Sequence, residues 1–485
     1  MTRNFKTLLL ELYKGFIMEI IVTIPQSYPA ERDYIISVIL KEFLGLDYVI
    51  QRTGRANVCI SDKDNRRRLI IADCLFAISE EQWLTNKSLP KQPLNVLDHR
   101  LFGFDNALGF PSLPVIYGDL KSHLDGPNHA QNTPNGQEFW LPIDIFGACF
   151  FMLTRYEELV KTDRDEHNRF PPKAMLAHQE GFIERPIVNE YIEILWSGLK
   201  RVWPSLIRKK REYRLLLSHD VDDILSVVGK PLKQVIRRIG GDLIVRRDLI
   251  MVLRNMQAAW LGCAEKDPFN TFDFIMDLSE KNGVSSTFNF MTDLGHTKYD
   301  QRYNIDHPWA RHCLRRIVQR GHLIGFHPTY GSYLNAERTK SEFLRLKMAA
   351  EEEGAEQNEW GGRQHYLRWQ NPTTWQHWEE AGLNYDSTLG FADLIGFRTG
   401  CCYEYPVFNL QERKKLNLRE RSLMVMDGTV TDRDGTITNI LWGKIFHLND
   451  ICKKFSGDFT LLWHNGKVAS RRQRKLYLST IDSIL

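Results

Sequence analysis

Carboxylates crowd the pentapeptide His219-Asp220-Val221-Asp222-Asp223, just where the apolar run Leu215-Leu216-Leu217 ends. Side chains alternate between the faces of a strand, so Asp220 and Asp222 fall on one side. Catalytic groups collect at the C-terminal ends of strands in α/β barrels. Two acids there can divide labour, one holding a divalent metal and the other taking a proton from water bound to it. The structural alternative is a helix N-cap or an Asx turn after a core strand. The order of the polar residues that follow favours chemistry.

Those residues also end strand-like runs. They lie in Gly321-His322-Leu323-Ile324-Gly325-Phe326-His327-Pro328, in Gly361-Gly362-Arg363-Gln364-His365-Tyr366 and in Leu461-Leu462-Trp463-His464-Asn465. From Tyr213 onward strand and helix alternate, which predicts a parallel sheet or barrel. The strand candidates are 213–218, 285–290, 323–327, 363–369, 383–387, 422–427 and 459–464. Crossover helices are expected at 272–281, 309–319, 341–353, 373–381 and 448–455. The stretch 225–267 breaks this rhythm, and Lys230 to Arg254 holds seven Lys/Arg against two Asp with apolar residues interleaved. It reads either as a contact for a membrane surface or anionic glycan, or more simply as a helical insertion with a solvated basic face.

At 485 residues the chain exceeds one core of ordinary size, so two domains are expected. A 43% hydrophobic, 26% charged composition is that of a soluble globular protein, and a net charge of +4 implies no nucleic-acid partner. The eight cysteines show no C-x-x-C spacing, which fits free thiols in a reduced compartment. Nowhere does an apolar run approach the ~20 residues a transmembrane helix needs. Glu11 and Lys14 interrupt the first apolar stretch before a signal-peptide core forms, so the expected location is cytoplasmic. Met18-Glu-Ile-Ile-Val reads as a natural first strand, which makes 1–17 a candidate extension outside the fold. Residues 18–207 read as a smaller α/β N-terminal domain of unknown role. Its expected strands are 20–24 and 69–71, and its expected helices 31–44, 144–159 and 188–202, with a loop at 163–170. The basic Arg208-Lys209-Lys210-Arg211 marks the junction before 213–485.

The motif order in 213–485 resembles the polysaccharide deacetylases of carbohydrate esterase family four, in a divergent branch with an uncharacterised N-terminal domain. The resemblance implies a distorted (β/α)7 barrel. Asp220-Val221-Asp222 is similar to the family's Asp-x-Asp motif, which makes Asp220 the base and Asp222 a metal ligand. Ser286-Thr287-Phe288-Asn289-Phe290 is similar to the second strand, usually Ala-Thr-Phe-Phe. Gly321-His322 through His327 resembles Gly-His-Glu-Ile-Gly-x-His, whose last histidine is a ligand. Arg363 resembles the arginine that holds the catalytic Asp, and His464 the late histidine that acts as general acid. Asp144 to Pro186 resembles the accompanying domain, through Arg155-Tyr156-Glu157-Glu158 and Asp165-Glu166-His167-Asn168-Arg169-Phe170-Pro171.

Two departures stand out. Gly331 occupies the position of the family's second metal-binding histidine, and His365 replaces the usual Pro two residues after the motif arginine. His365 can restore the lost ligand, giving an Asp222/His327/His365 site, with His322 and Asp223 in reserve. Zinc is the default ion. Asp427 is expected either to orient His464 or to cap a helix, and Asp386 to pair with Arg398. Trp360, Trp369, Tyr330 and Tyr366 are the candidate stacking surfaces for sugar rings, with core packing as the alternative. The expected function is metal-dependent removal of N-acetyl groups, with O-acetyl second, from a carbohydrate precursor of cell-surface polysaccharide. Two rivals remain: hydrolysis of another small C–N amide, and a non-catalytic glycan-binding or assembly protein with a decayed metal site.

Overall fold

Two strand-rich stretches each organise a sheet, and their chain boundaries are interleaved. One unit comprises Met1–Met152 and Val188–Lys210, the other Leu153–Ile187 and Arg211–Leu485. The computed structural model describes residues 20–98, 100, 112–118, 130–133, 136–293, 295, 297–300, 303–431 and 438–485, so the candidate extension 1–17 lies outside them. The stretch 153–187, which falls inside the expected N-terminal domain 18–207, groups with the second unit.

In the first unit β1 (Ile20–Pro25), β2 (Tyr48–Thr53), β3 (Val58–Ser61), β4 (Arg67–Ile71), β7 (Ala130–Thr133) and β8 (Gly136–Leu141) form one sheet. Its order is β2-β1-β3-β4-β8-β7. A short pair, β5 (Asn95–Leu97) with β6 (Leu113–Val115), stands apart from it. The β-branched run of β1 buries Ile20, Val22 and Ile24. The helix expected at 31–44 forms as Pro29–Ile36, then continues as a π-helical stretch, Ser37–Phe43. The helix expected at 144–159 divides into Ile145–Leu153 and Tyr156–Val160, because Arg155 turns left-handed at φ 53°. The expected 188–202 helix spans Ile187–Val202.

The second unit is built on nine strands: β9 (Arg214–Val221), β10 (Ser286–Phe290), β11 (Leu323–Phe326), β12 (Gly361–Gly362), β13 (Tyr385–Asp386), β14 (Tyr405–Asn409), β15 (Lys414–Glu420), β16 (Val425–Met426) and β17 (Asp458–Leu462). Their order is β14-β15-β13-β12-β11-β10-β9-β17-β16, and among the described residues only the β14–β15 pair of this sheet is antiparallel. Helices Phe272–Lys281, Pro308–Gln319, Ala336–Glu352, Thr373–Ala381 and Asn439–Lys454 supply crossovers, and Arg471–Ile484 ends the unit. This is a mixed α/β unit with a largely parallel sheet. Among the described residues no pairing joins β14 to β16, so the sheet is open rather than a closed barrel.

Two sequence expectations are corrected here. The fourth strand is Gly361–Gly362 rather than 363–369; the chain then enters a 3-10 turn, His365–Leu367, with Tyr366 at φ 61° and Leu367 at φ 54°. The β14–β15 hairpin was not anticipated, although Leu416, Leu418 and Glu420 are buried at alternate positions of β15. Glycine is required at 362, since a Cβ there would lie 1.9 Å from the Phe326 carbonyl oxygen. The insertion at 225–267 forms two helices, Leu232–Ile244 and Leu249–Leu261. No helix among the described residues is long and apolar enough to cross a membrane.

The segment 153–187 is tied into its unit by buried polar bonds. Glu158 accepts from Arg398 at 2.7 Å and from Arg155 at 2.9 Å, with all three side chains no more than 2% exposed. Asn371 donates to the carbonyls of Thr154 and Arg155, each at 2.8 Å. Glu158→Gln leaves two buried guanidinium groups short of charge. It is expected to destabilise this unit by about 3–5 kcal/mol, read as a lower urea midpoint; an unchanged midpoint would contradict the account.

Candidate functional site

The alternation of β9 sorts its polar residues. His219 turns into the core, its Nδ1 2.7 Å from the Trp463 carbonyl and its ring 5.0 Å from that of Phe288. Ser218, Asp220 and Asp222 project the other way, toward Arg363 and two histidines. Asp220 is 2% exposed. Its Oδ1 accepts from Arg363 Nη1 at 2.9 Å and from Asn289 Nδ2 at 2.6 Å. Burial pushes this carboxyl up, but Arg363 foremost, with His327, His464 and the Asn289 bond, holds it below its ordinary value. Asp220 is therefore an anion at neutral pH.

Arg363 is fixed along its whole length. Its Nε donates to the Ser387 carbonyl at 2.9 Å, and Nη2 donates to the hydroxyls of Ser218 at 3.1 Å and Ser387 at 3.0 Å. Its own carbonyl accepts from His327 Nδ1 at 2.7 Å. A carbonyl only accepts, so Nδ1 carries the hydrogen and Nε2 presents its lone pair. That Nε2 is buried, has no hydrogen-bond partner, and lies 3.5 Å from Asp222 Oδ1.

Asp222 Oδ1 is likewise buried and unpartnered, although the side chain as a whole is 41% exposed. His365 places Nε2 3.8 Å from the same oxygen and its ring 4.9 Å from that of His327. Ligating atoms of Asp222, His327 and His365 all lie within 4.8 Å of one another. Burial takes His365 down to about 4, so it is neutral at physiological pH, the form that ligates metals. Burial opposes a proton on His327 too, yet Asp220 and Asp222 outweigh it and raise its pKa. The carboxylates thus call for positive charge where two buried unpartnered atoms, Asp222 Oδ1 and His327 Nε2, meet the His365 imidazole. That donor set fits a divalent cation.

His464 stands across the cavity. Its Nδ1 is 2.6 Å from Asp427 Oδ1, which also accepts the His464 backbone N–H at 3.2 Å, and Nε2 is 3.9 Å from Asp222 Oδ2. Burial works against its charge, but Asp427, helped by Asp222 and Asp220, raises the imidazole to about 10. His464 is protonated at neutral pH. Asp427 thus orients the histidine while its backbone opens the short helix Asp427–Val430.

Other candidates go elsewhere. His322 Nδ1 accepts from the Ser286 N–H at 3.1 Å, and Nε2 faces Glu280 at 3.4 Å, so it supports the sheet. Asp223 pairs with Lys230 at 2.6 Å. Neither reserve ligand belongs to the cluster. The expected Asp386–Arg398 pair does not form: Arg398 holds Glu158, while Asp386 accepts from the Thr388 N–H at 2.9 Å. Trp360 and Trp369 are buried in the core, whereas Tyr366 is exposed and Tyr330 stacks on Tyr299 at 4.6 Å.

The histidines and acids open on a cavity of about 270 Å3, which Tyr366, Gln364 and Arg169 also line. Sequence reasoning missed Arg169, which comes from the expected loop 163–170. Its Nη1 donates to the Tyr366 carbonyl at 3.2 Å, and Asp165 holds its Nε at 2.7 Å. Asn289 was missed as well. It sits in register between Asp220 on β9 and Gly325 on β11, and a Cβ on Gly325 would lie 1.9 Å from its Oδ1. The glycine opposite a polar strand residue is the signal that could have found it.

The family described as "Family of unknown function (DUF7033)" matches residues 20–204. No curated protein matches the chain. Among solved structures, a proposed polysaccharide deacetylase from Mycobacterium smegmatis is 16% identical with a TM-score of 0.35, over 57% of this chain and 85% of that one. PuuE allantoinase is 13% identical with a TM-score of 0.34, over 58% and 85%. The Xyl-CE4 domain of a multidomain xylanase from the hindgut metagenome of Trinervitermes trinervoides is 11% identical with a TM-score of 0.26, over 57% and 82%.

Elemental analysis checks the cluster. Protein loaded with Zn2+ and dialysed is expected to keep close to one equivalent, and Asp222→Ala, His327→Ala and His365→Ala each to lose most of it. Asp427→Asn, outside the ligand set, is expected to keep it. Retention by His365→Ala alone would move the third ligand elsewhere.

Proposed function

We propose that this chain is a metal-dependent deacetylase that hydrolyses an N-acetyl group, with O-acetyl second, on a carbohydrate. The observation that carries the reading is a division of protons across one cavity. Asp220, paired with Arg363, and His464, paired with Asp427, line the same cavity as the Asp222/His327/His365 cluster, and these partners lower the pKa of the first and raise that of the second. Groups whose surroundings drive their pKa values apart are suited to opposite acid–base roles.

In this reading Asp222, His327 and His365 hold a divalent cation, first Zn2+, although Co2+, Ni2+ or Mn2+ suit the same mixed donors. Such an ion supplies polarisation of the acetyl carbonyl and acidification of the attacking water. Asp220 takes the water proton on its carboxylate. Arg363 and Asn289 both bind Oδ1, which leaves Oδ2 without those donors and turned toward His327, 4.0 Å away. His464 delivers its Nε2 proton to the departing nitrogen, and Asp427 stabilises the imidazolium until then. No step calls on His322 or Asp223.

Two features favour a glycan over a small amide. The site cavity adjoins a larger one of about 620 Å3 that shares Asp222 and His464, so space extends beyond an acetyl group and its nitrogen. Tyr366 offers an exposed ring at the rim. The decayed-site reading rests on Gly331, and His365 supplies a histidine to the cluster that Gly331 cannot.

Acetate release from a panel of N-acetylated glycans tests the proposal. Metal-loaded protein is expected to release acetate from at least one class, with Asp220→Asn slower by on the order of 10^2–10^4. Release no greater than that of Asp220→Asn across the panel would overturn it. The pH profile tests the acid separately. His464 must be protonated to donate, so activity falls as pH rises through its pKa. Asp427→Asn removes the main support for that charge, and the alkaline limb is expected to move to lower pH.

A further inference from the structure

The two helices of the insertion carry a finished interior and an unfinished exterior. Inside the hairpin Val235 and Ala258 pack with Val227. Asn255 Nδ2 donates to Asp242 Oδ2 at 2.7 Å, tying the helices together. Asp267 accepts the N–H groups of Ser226, Val227 and Val228 and anchors the base. The hairpin therefore keeps this fold without burying its other face.

That other face is apolar. On Leu249–Leu261 the side chains of Leu249, Leu253, Met256 and Trp260 follow helical spacing, and Leu253 and Trp260 are 65% and 86% exposed. On Leu232–Ile244 the exposed apolar residues include Leu232, Ile236 and Leu243. Between the two helices Ile244 and Val245 are 75% and 67% exposed as well. Scattered exposed apolar residues are ordinary, but a continuous face of this kind marks a docking surface.

Charge indicates the partner. Lys233, Arg237 and Arg247 are exposed alongside the apolar stripe. The acids of the hairpin are both engaged, Asp242 with Asn255 and Arg246, and Asp248 capping the N–H of Met251. A helix pair showing water Leu, Ile and Trp flanked by Lys and Arg matches the interface of an anionic bilayer. We propose that the hairpin Leu232–Leu261 docks the protein on an anionic phospholipid surface, its apolar stripe entering the headgroup region and its Lys and Arg residues pairing with lipid phosphates.

The same hairpin lends Arg238, Arg246 and Met251 to the 620 Å3 cavity that also contains Asp222 and His464. If the deacetylase reading holds, docking keeps this cavity at the membrane, where a lipid-anchored glycan would present its sugar. The docking itself does not depend on that reading.

Vesicle co-sedimentation provides the test, using pure phosphatidylcholine and phosphatidylcholine mixed with phosphatidylglycerol. Wild type is expected to sediment with the anionic vesicles, and high salt to weaken this. Leu253→Asp and Trp260→Asp, both at exposed positions, are expected to reduce binding more than tenfold. Arg237→Glu with Arg247→Glu is expected to do so selectively on anionic vesicles. Wild type that stays in the supernatant overturns the proposal, as does Leu253→Asp that sediments like wild type. A non-sedimenting wild-type dimer, split by Leu253→Asp in light scattering, would assign the face to a second copy of the chain. Because the readout is sedimentation, it can fail while acetate release succeeds, and the reverse.

Discussion

Everything at this site hangs on Arg363. Its guanidinium pairs with Asp220 at 2.9 Å with both side chains almost fully buried, and its backbone carbonyl sets the tautomer of His327. One residue thus orients the proposed base and exposes the lone pair of a proposed ligand. A buried ion pair is worth little net, but removing one partner typically costs about 3–5 kcal/mol because the other charge is stranded. The chain can place Arg363 there only because Gly362 lets β12 press against the Phe326 backbone. Thus a requirement for glycine on a two-residue strand is transmitted directly into the chemistry of the site.

A second constraint separates acid from base. Asp220 and Asp222 stand on one face of one strand, and without compensation they would raise each other's pKa. Arg363 answers the first, and the histidine cluster answers the second. His464 draws its charge mainly from a third carboxylate, Asp427, which is wholly buried behind it. The acid is thereby held charged by a group outside the ligand cluster.

What was legible in the sequence was local. The alternation of Asp220 and Asp222 and the strand-end positions of His327 and His464 follow from period and order, while His365 as a stand-in for the histidine missing at Gly331 is what the family resemblance implies; the structure brings Asp222, His327 and His365 together, with His464 nearby. What was not legible depended on contacts far apart in the chain. Arg169 reaches the cavity because 153–187 is held within the second unit by Glu158 and Arg398, partners separated by 240 residues. The Asp386–Arg398 pair looked natural by proximity in sequence, yet Glu158 wins the arginine. The fourth strand ends at Gly362 rather than running through 363–369 because two left-handed residues, Tyr366 and Leu367, bend the chain into a turn. The final helix, Arg471–Ile484, carries a local start signal in the capping box of Ser470 and Gln473.

Anomalous diffraction from crystals loaded with Zn2+ tests the central claim most directly, because it locates the ion without a substrate. The account predicts one strong peak about 2.0–2.2 Å from a carboxylate oxygen of Asp222 and from a ring nitrogen of each of His327 and His365, with Asp220 and His464 outside bonding distance. A peak at other residues, or a peak at Asp222 and His327 from which His365 turns away, would contradict it.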